Sequence, residues 1–292
     1  ITNMLETTWF VLWGLLWAVY FVLDGFDFGM GTLLPFLAKN DEEKRIIYNA
    51  AGPYWDGNEV WLITAGGVTF AAFPKAYAVM FSALYAPLLI LLFALIFRAV
   101  SFEFRNKKDC PQWRKFWDAC QFLGNFLPAL LLGVAFANLF MGIPIDGNGV
   151  YHGNIIKLLN PYGLAGGIFF VLIFAMHGAL WLALKSEGDI HERAVGAAQV
   201  VWPLVLAVAL LFLALTAFYT NLYANYAEHP TLLVFPILAV ASLLTVRVMI
   251  WADNLLGAWF FSALFIITVT FFGVLGMYPG IIISSIAPAY SV

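Results

Sequence analysis

Eight long apolar runs, parted by short polar segments, give this chain its pattern. The first, Trp9 to Pro35, is almost wholly apolar until Asp24 and Asp27 appear inside it, followed by Gly29 and Gly31. A helix crosses a bilayer with about 20 mostly apolar residues, so the runs predict membrane helices near 9–37, 57–73, 76–97, 116–140, 162–184, 195–220, 231–251 and 256–277. The segments between them are read as connections. A charged loop spans Lys39 to Arg45, and the polar stretch NAAGPYWDGNEVW leads into the second helix, which Pro74 ends. A basic segment follows the third helix, MGIPIDGNGVYHGN follows the fourth, and a loop from Lys185 to Arg193 follows the fifth. The expected fold is an all-α integral membrane protein with eight transmembrane helices. The runs divide the chain into four helices over residues 1–140, an external loop over 141–161, and four helices with an outer segment over 162–292.

Composition agrees with the pattern. The chain is 63% hydrophobic and 11% charged, where soluble domains carry about 25% charged residues. Of its 14 Lys and Arg, all but Lys75 and Lys157 fall on one side once the helices alternate with the amino terminus outside. Cytoplasmic loops hold such an excess of cations. Asp24 and Asp27 then lie in the cytoplasmic half of the first helix. That helix is too long for the apolar core of a cleavable signal peptide, and no small-residue cleavage site follows it. Cys110 and Cys120 lack the CxxC spacing of a metal or redox pair. No basic domain supports nucleic-acid binding, and no phosphate-binding loop, dinucleotide fingerprint or nucleophile motif occurs.

Charge inside an apolar run is the informative feature. At about 1.5 Å per residue, Asp24 lies roughly 20 Å along the helix from Trp9, and the i, i+3 spacing puts Asp24 and Asp27 on one face. A carboxylate at the centre of a bilayer costs about 2.5–3.5 kcal/mol on insertion scales, so these two acids must face protein, water or a counter-charge. Asp56 and Glu59 repeat the spacing at the start of the second helix. A series Asp56, Asp27, Asp24 running inward from the cytoplasmic mouth suits a proton relay, although Asp56 also suits capping of its helix. Asp118 is read as a capping or dipole-favoured residue opening the fourth helix. Arg98, with Glu103 beside it at the inner end of the third helix, either pairs with a carboxylate of the first two helices or snorkels to the interface. His177 is the one histidine inside a predicted helix, read as hydrogen-bonded and buried; a haem held through it stands as a separate hypothesis. From these residues two functions remain open, a cofactor-free subunit of a proton-consuming respiratory complex and a proton-coupled secondary transporter.

At the same positions the sequence resembles subunit II of cytochrome bd-type quinol oxidases. The resemblance rests on DGFDFGMG, GPYWDGNEVWLITAGG, FAAFPKAY, IFRAVSFEFRNK, FWDACQFLGNFLPALLLGVAFANL, KLLNPYGLAGG and MYPGIIISSIAPAYS, and covers nearly the whole chain. It implies a subunit of a quinol:O2 oxidoreductase that binds no haem itself and is built as two four-helix bundles, here a first over residues 1–140 and a second over 162–292. Haems b and d and quinol oxidation would belong to a haem-bearing subunit I, with which this chain would form a heterodimer. In some members a small single-helix subunit and a structural quinone are also implied. Asp24, Asp27, Asp56 and Asp118 match the acidic motif positions of a cytoplasmic proton path, and Trp55, Arg98 and Glu103 match supporting ones. The location implied is a bacterial or archaeal cytoplasmic membrane. Family members continue into a ninth helix, which is expected to follow Val292.

Overall fold

A computed structural model describes residues 4–292. The described residues form helices α1 (Met4–Leu37), α2 (Asp41–Ala51), α3 (Trp55–Ala72), α4 (Pro74–Ala83), α5 (Tyr85–Phe104), α6 (Pro111–Met141), α7 (Ile155–Leu158), α8 (Pro161–Lys185), α9 (Gly188–Tyr219), α10 (Tyr223–Glu228), α11 (Val234–Trp251) and α12 (Leu255–Met277). Among these residues, seven helical segments are long and apolar enough to cross a membrane: α1, α5, α6, α8, α9, α11 with the turn before it, and α12. The protein is a multi-span helical membrane protein. The expected second span, α3, falls outside that set because Asp56, Asn58 and Glu59 crowd its first turns.

Two predicted elements are corrected. The charged stretch after α1 is no loop but the start of α2. Asn40 caps this helix, its Oδ1 accepting from the Glu43 N–H at 2.9 Å, and its apolar face buries Ile47, Tyr48, Ala50 and Ala51. The expected third helix over 76–97 is two helices, α4 and α5, broken at Leu84. Pro87 explains the break: proline lacks an N–H and disfavours helix in the residue before it, so it is best tolerated in a first turn.

Central to the packing is α1, which lies against α3, α6, α8 and α12. Its crossing with α8 is at backbone contact. A Cβ on Gly29 would come 1.8 Å from the Phe174 carbonyl oxygen, and one on Gly178 would come 2.5 Å from the Met30 nitrogen. α6 meets α8 in the same way, Gly133 against Gly166, the close packing that small residues allow between membrane helices. At the end of the molecule holding the α6–α8 connection, the segment after α12 folds back. Ile143 bridges to Ser284, and the Ser284 hydroxyl donates to the Ile145 carbonyl at 2.7 Å. The opposite end gathers the cations: Arg193 of α9 pairs with Glu43 of α2, and Lys185 of α8 lies over the rings of Tyr54 and Trp181.

Candidate proton site

Three helices bring one buried charge cluster together. Arg98 of α5 is completely buried and donates through Nη1 to Asp24 Oδ1 at 2.8 Å and through Nη2 to Asp24 Oδ2 at 3.1 Å. The same Nη2 donates to Glu59 Oε1 of α3 at 2.5 Å. Its guanidinium lies 4.7 Å over the Phe28 ring. This fork geometry is what arginine supplies and lysine does not. Of the two readings of Arg98 in the sequence, the structure shows the paired one; a fully buried guanidinium does not snorkel. Glu59 retains 23% side-chain exposure while Asp24 has none, so the cluster runs from a partly open carboxylate to a sealed one.

Asp27 joins through α3. The Asn58 amide donates to Asp27 Oδ2 at 2.8 Å and to the Leu23 carbonyl at 3.0 Å. The second oxygen, Asp27 Oδ1, is buried without a hydrogen-bond partner. Both oxygens of Asp24 are therefore taken by Arg98, whereas Asp27 keeps one unengaged. Asn58 and Glu59 are the residues whose roles the sequence leaves least defined. Their adjacency to Asp56 in the polar start of α3 is the available signal.

The other sequence candidates lie elsewhere. Asp56 is exposed, and its carboxylate accepts only from the Gly57 N–H at 2.8 Å. Trp55 stacks flat on Phe102 at 5.1 Å, fixing the start of α3 to α5. Glu103 is exposed in the last turn of α5. Asp118 belongs to a second cluster, and its reading as a cap is corrected. Pro111 starts α6 two turns earlier, so the carboxylate faces sideways. It accepts from Arg105 Nε at 2.6 Å and from Lys44 Nζ at 2.9 Å, and Arg105 also reaches Asp41 at 2.6 Å. This second cluster ties α2 to α5 and α6. Burial opposes ionisation of Asp41, but the hydrogen bond and charge of Arg105, then Arg114 and Lys44, outweigh it and hold the carboxyl below its ordinary value. The Glu43 carboxyl is likewise held low, first by the Lys39 backbone N–H and then by Arg193.

The histidines fit a haem poorly. Both ring nitrogens of His177 are engaged, Nδ1 with the Ser262 hydroxyl at 2.6 Å and Nε2 with the Val22 carbonyl at 3.1 Å, and the ring stacks on Trp259. An axial bond to iron would have to displace one of them. His191, in the first turn of α9 rather than in a loop, is bonded through Nδ1 to the Ala183 carbonyl. No group of three His, Cys, Asp or Glu among the described residues is placed to hold a metal ion.

Comparison with known proteins agrees with this architecture. The model of the family described as cytochrome bd terminal oxidase subunit II matches residues 5–291. Cytochrome bd ubiquinol oxidase subunit 2 of Bacillus subtilis is 42% identical over 224 residues, covering 77% of this chain and 66% of that one. Cytochrome bd-I ubiquinol oxidase subunit 2 of Escherichia coli is 44% identical over 202 residues, covering 68% and 53%. The chain thus spans between about half and two thirds of the length of these relatives. A solved structure of bd oxidase from Geobacillus thermodenitrificans shares the fold, with a TM-score of 0.81, 17% identity, and coverage of 95% of this chain and 86% of the other. With a match over almost its whole length, the chain belongs to the cytochrome bd terminal oxidase subunit II family.

Proposed function

We propose that this chain is the haem-free subunit of a quinol oxidase that reduces O2 to water, and that it admits protons from the cation-rich end of the molecule. The observation that carries this reading is the Glu59–Arg98–Asp24 chain, open at one end and sealed at the other. Glu59 and Asp27 are the proton carriers, because Asp27 has an unengaged oxygen and Glu59 reaches the surface. Asp24 serves as the anchor of Arg98. Exposed Asp56 attracts protons at the mouth, and Asp118 acts apart, holding α2 in place.

Pairing with a haem-bearing subunit I is supported by α3. Its outer face carries exposed Asp56 and Thr64, and open space surrounds the Cβ positions of Gly66 and Gly67. A helix this polar is poorly suited to lipid and suits a neighbouring protein helix. The haems, b and d in type, belong to that partner, a small single-helix subunit attaches at the periphery, and quinol and O2 react within the complex. An apolar cleft of about 700 Å³ between α1, α3, α5 and α6, lined by Trp13, Trp17, Leu62, Phe70, Leu88 and Phe136, has the lining and size of a structural quinone site. We read the molecule as two four-helix groups making eight spans, set in a cytoplasmic membrane with the amino terminus outside. Family membership counts against the transporter reading.

The test is the double variant Glu59→Gln/Asp27→Asn in the assembled, haem-containing complex. Quinol-dependent O2 consumption is expected to fall at least about tenfold, in the range of a lost proton-transfer group, with the visible haem spectrum unchanged. Full turnover in an intact complex rejects these two residues as carriers.

A further inference from the structure

A second cavity, with a mixed polar and apolar lining, lies at the cation-poor end, between the α6–α8 connection and the end of α9. Its volume is about 390 Å³, and Lys157, Tyr151, Tyr219 and Ser285 line it. Lys157 is one of only two cations at that end, is exposed, and its ammonium has no acidic or carbonyl partner among the described residues. No carboxylate lines the cavity. Tyr219 is held by stacking on Tyr162 at 5.9 Å, and its phenol has no hydrogen-bond partner among the described residues. Beside these polar groups stand strongly exposed apolar side chains, Ile156 at 76% and Phe218 at 83%. An unpaired ammonium with hydroxyl donors recognises a phosphate. Apolar side chains bordering such a group at a helix end mark the level where headgroups meet hydrocarbon.

We propose that this cavity binds the phosphate headgroup of an anionic phospholipid in the leaflet at the cation-poor end. Lys157 contacts the phosphate, the Tyr219 and Ser285 hydroxyls donate to its oxygens, the Tyr151 hydroxyl keeps donating to the Asn154 carbonyl, and the acyl chains run along Ile156 and Phe218. A site of this kind stands out on that face because the other excess of cations, the usual attractor of anionic lipid, is at the opposite end.

Native mass spectrometry of the full chain in its purified complex, taken from nanodiscs of equimolar phosphatidylglycerol and phosphatidylcholine, tests the site. Lys157→Ala is expected to lower retained phosphatidylglycerol about fivefold, the weight of one interfacial cation, with phosphatidylcholine unchanged. Lys157→Arg should retain it, and Lys75→Ala, removing the other cation of that end, should have no effect. A thermal melt of Lys157→Ala matching the parent protein separates lost binding from lost folding. Equal phosphatidylglycerol retention in the parent and Lys157→Ala proteins overturns the proposal. So does displacement of the lipid by inorganic phosphate at millimolar concentration, which would make the cavity a site for the free ion.

Discussion

Arg98 is the side chain on which the buried chemistry depends. It is fully buried, carries two carboxylates, and lies over an aromatic face. Removing one partner of a buried ion pair leaves an uncompensated charge and costs about 3–5 kcal/mol. Arg98→Leu strands both Asp24 and Glu59 and should destabilise the chain by at least that amount, read as a drop in thermal unfolding temperature in detergent. Arg98→Lys should destabilise less but still measurably, since one ammonium cannot reproduce the fork; parity with the parent protein would show that the fork contributes nothing. The Asp24–Arg98 pair is partly legible in the sequence, because two acids within an apolar run demand a counter-charge and few cations are near. Glu59 as its second partner is not, since that depends on how α3 is rotated against α5. Nor are the partners of Asp118 legible: Lys44 lies 74 residues away, on a helix that reads locally as a charged loop.

At the level of elements, α2 is held by side chains rather than by lipid. Asp41 and Glu43 tie it to Arg105, Arg114 and Arg193. Both carboxyls sit below their ordinary values. Their contribution is therefore complete above the ordinary carboxylate range and is lost as pH falls through the lowered values. Amide hydrogen exchange of α2 should be steady from neutral pH down to about 5 and should accelerate, relative to the intrinsic rate, below about 4. Protection that persists unchanged below that range would show that apolar docking of Ile47 and Ala51 alone holds the helix. The α1–α8 crossing admits no side chain. Gly29→Ala places a methyl against the Phe174 carbonyl and should cost about 1–3 kcal/mol or more by forcing the helices apart, again visible in thermal unfolding. Gly66→Ala, where nothing lies within reach, should leave the isolated chain as stable as before. Helix existence is readable from apolar run length for every long element. The break at Leu84 is not, although Pro87 signals it.

Across the whole molecule, charge is sorted by end. Arg105, Arg114, Arg193 and Lys185 collect where α1 and α5 finish and α3 begins, and Glu59, partly exposed, lies in the early turns of α3. On the proposed function, proton entry is at that end and runs through Glu59 toward the buried cluster. Its most direct test is proton uptake during an O2 pulse, in the assembled complex reconstituted with one orientation into vesicles and read by a pH indicator on the cation-rich side. Uptake at that face is expected in the parent complex and should be slowed at least about tenfold by Glu59→Gln, with haem content and assembly preserved. Uptake at the parent rate in the Glu59→Gln complex, or uptake only from the opposite face, would contradict it.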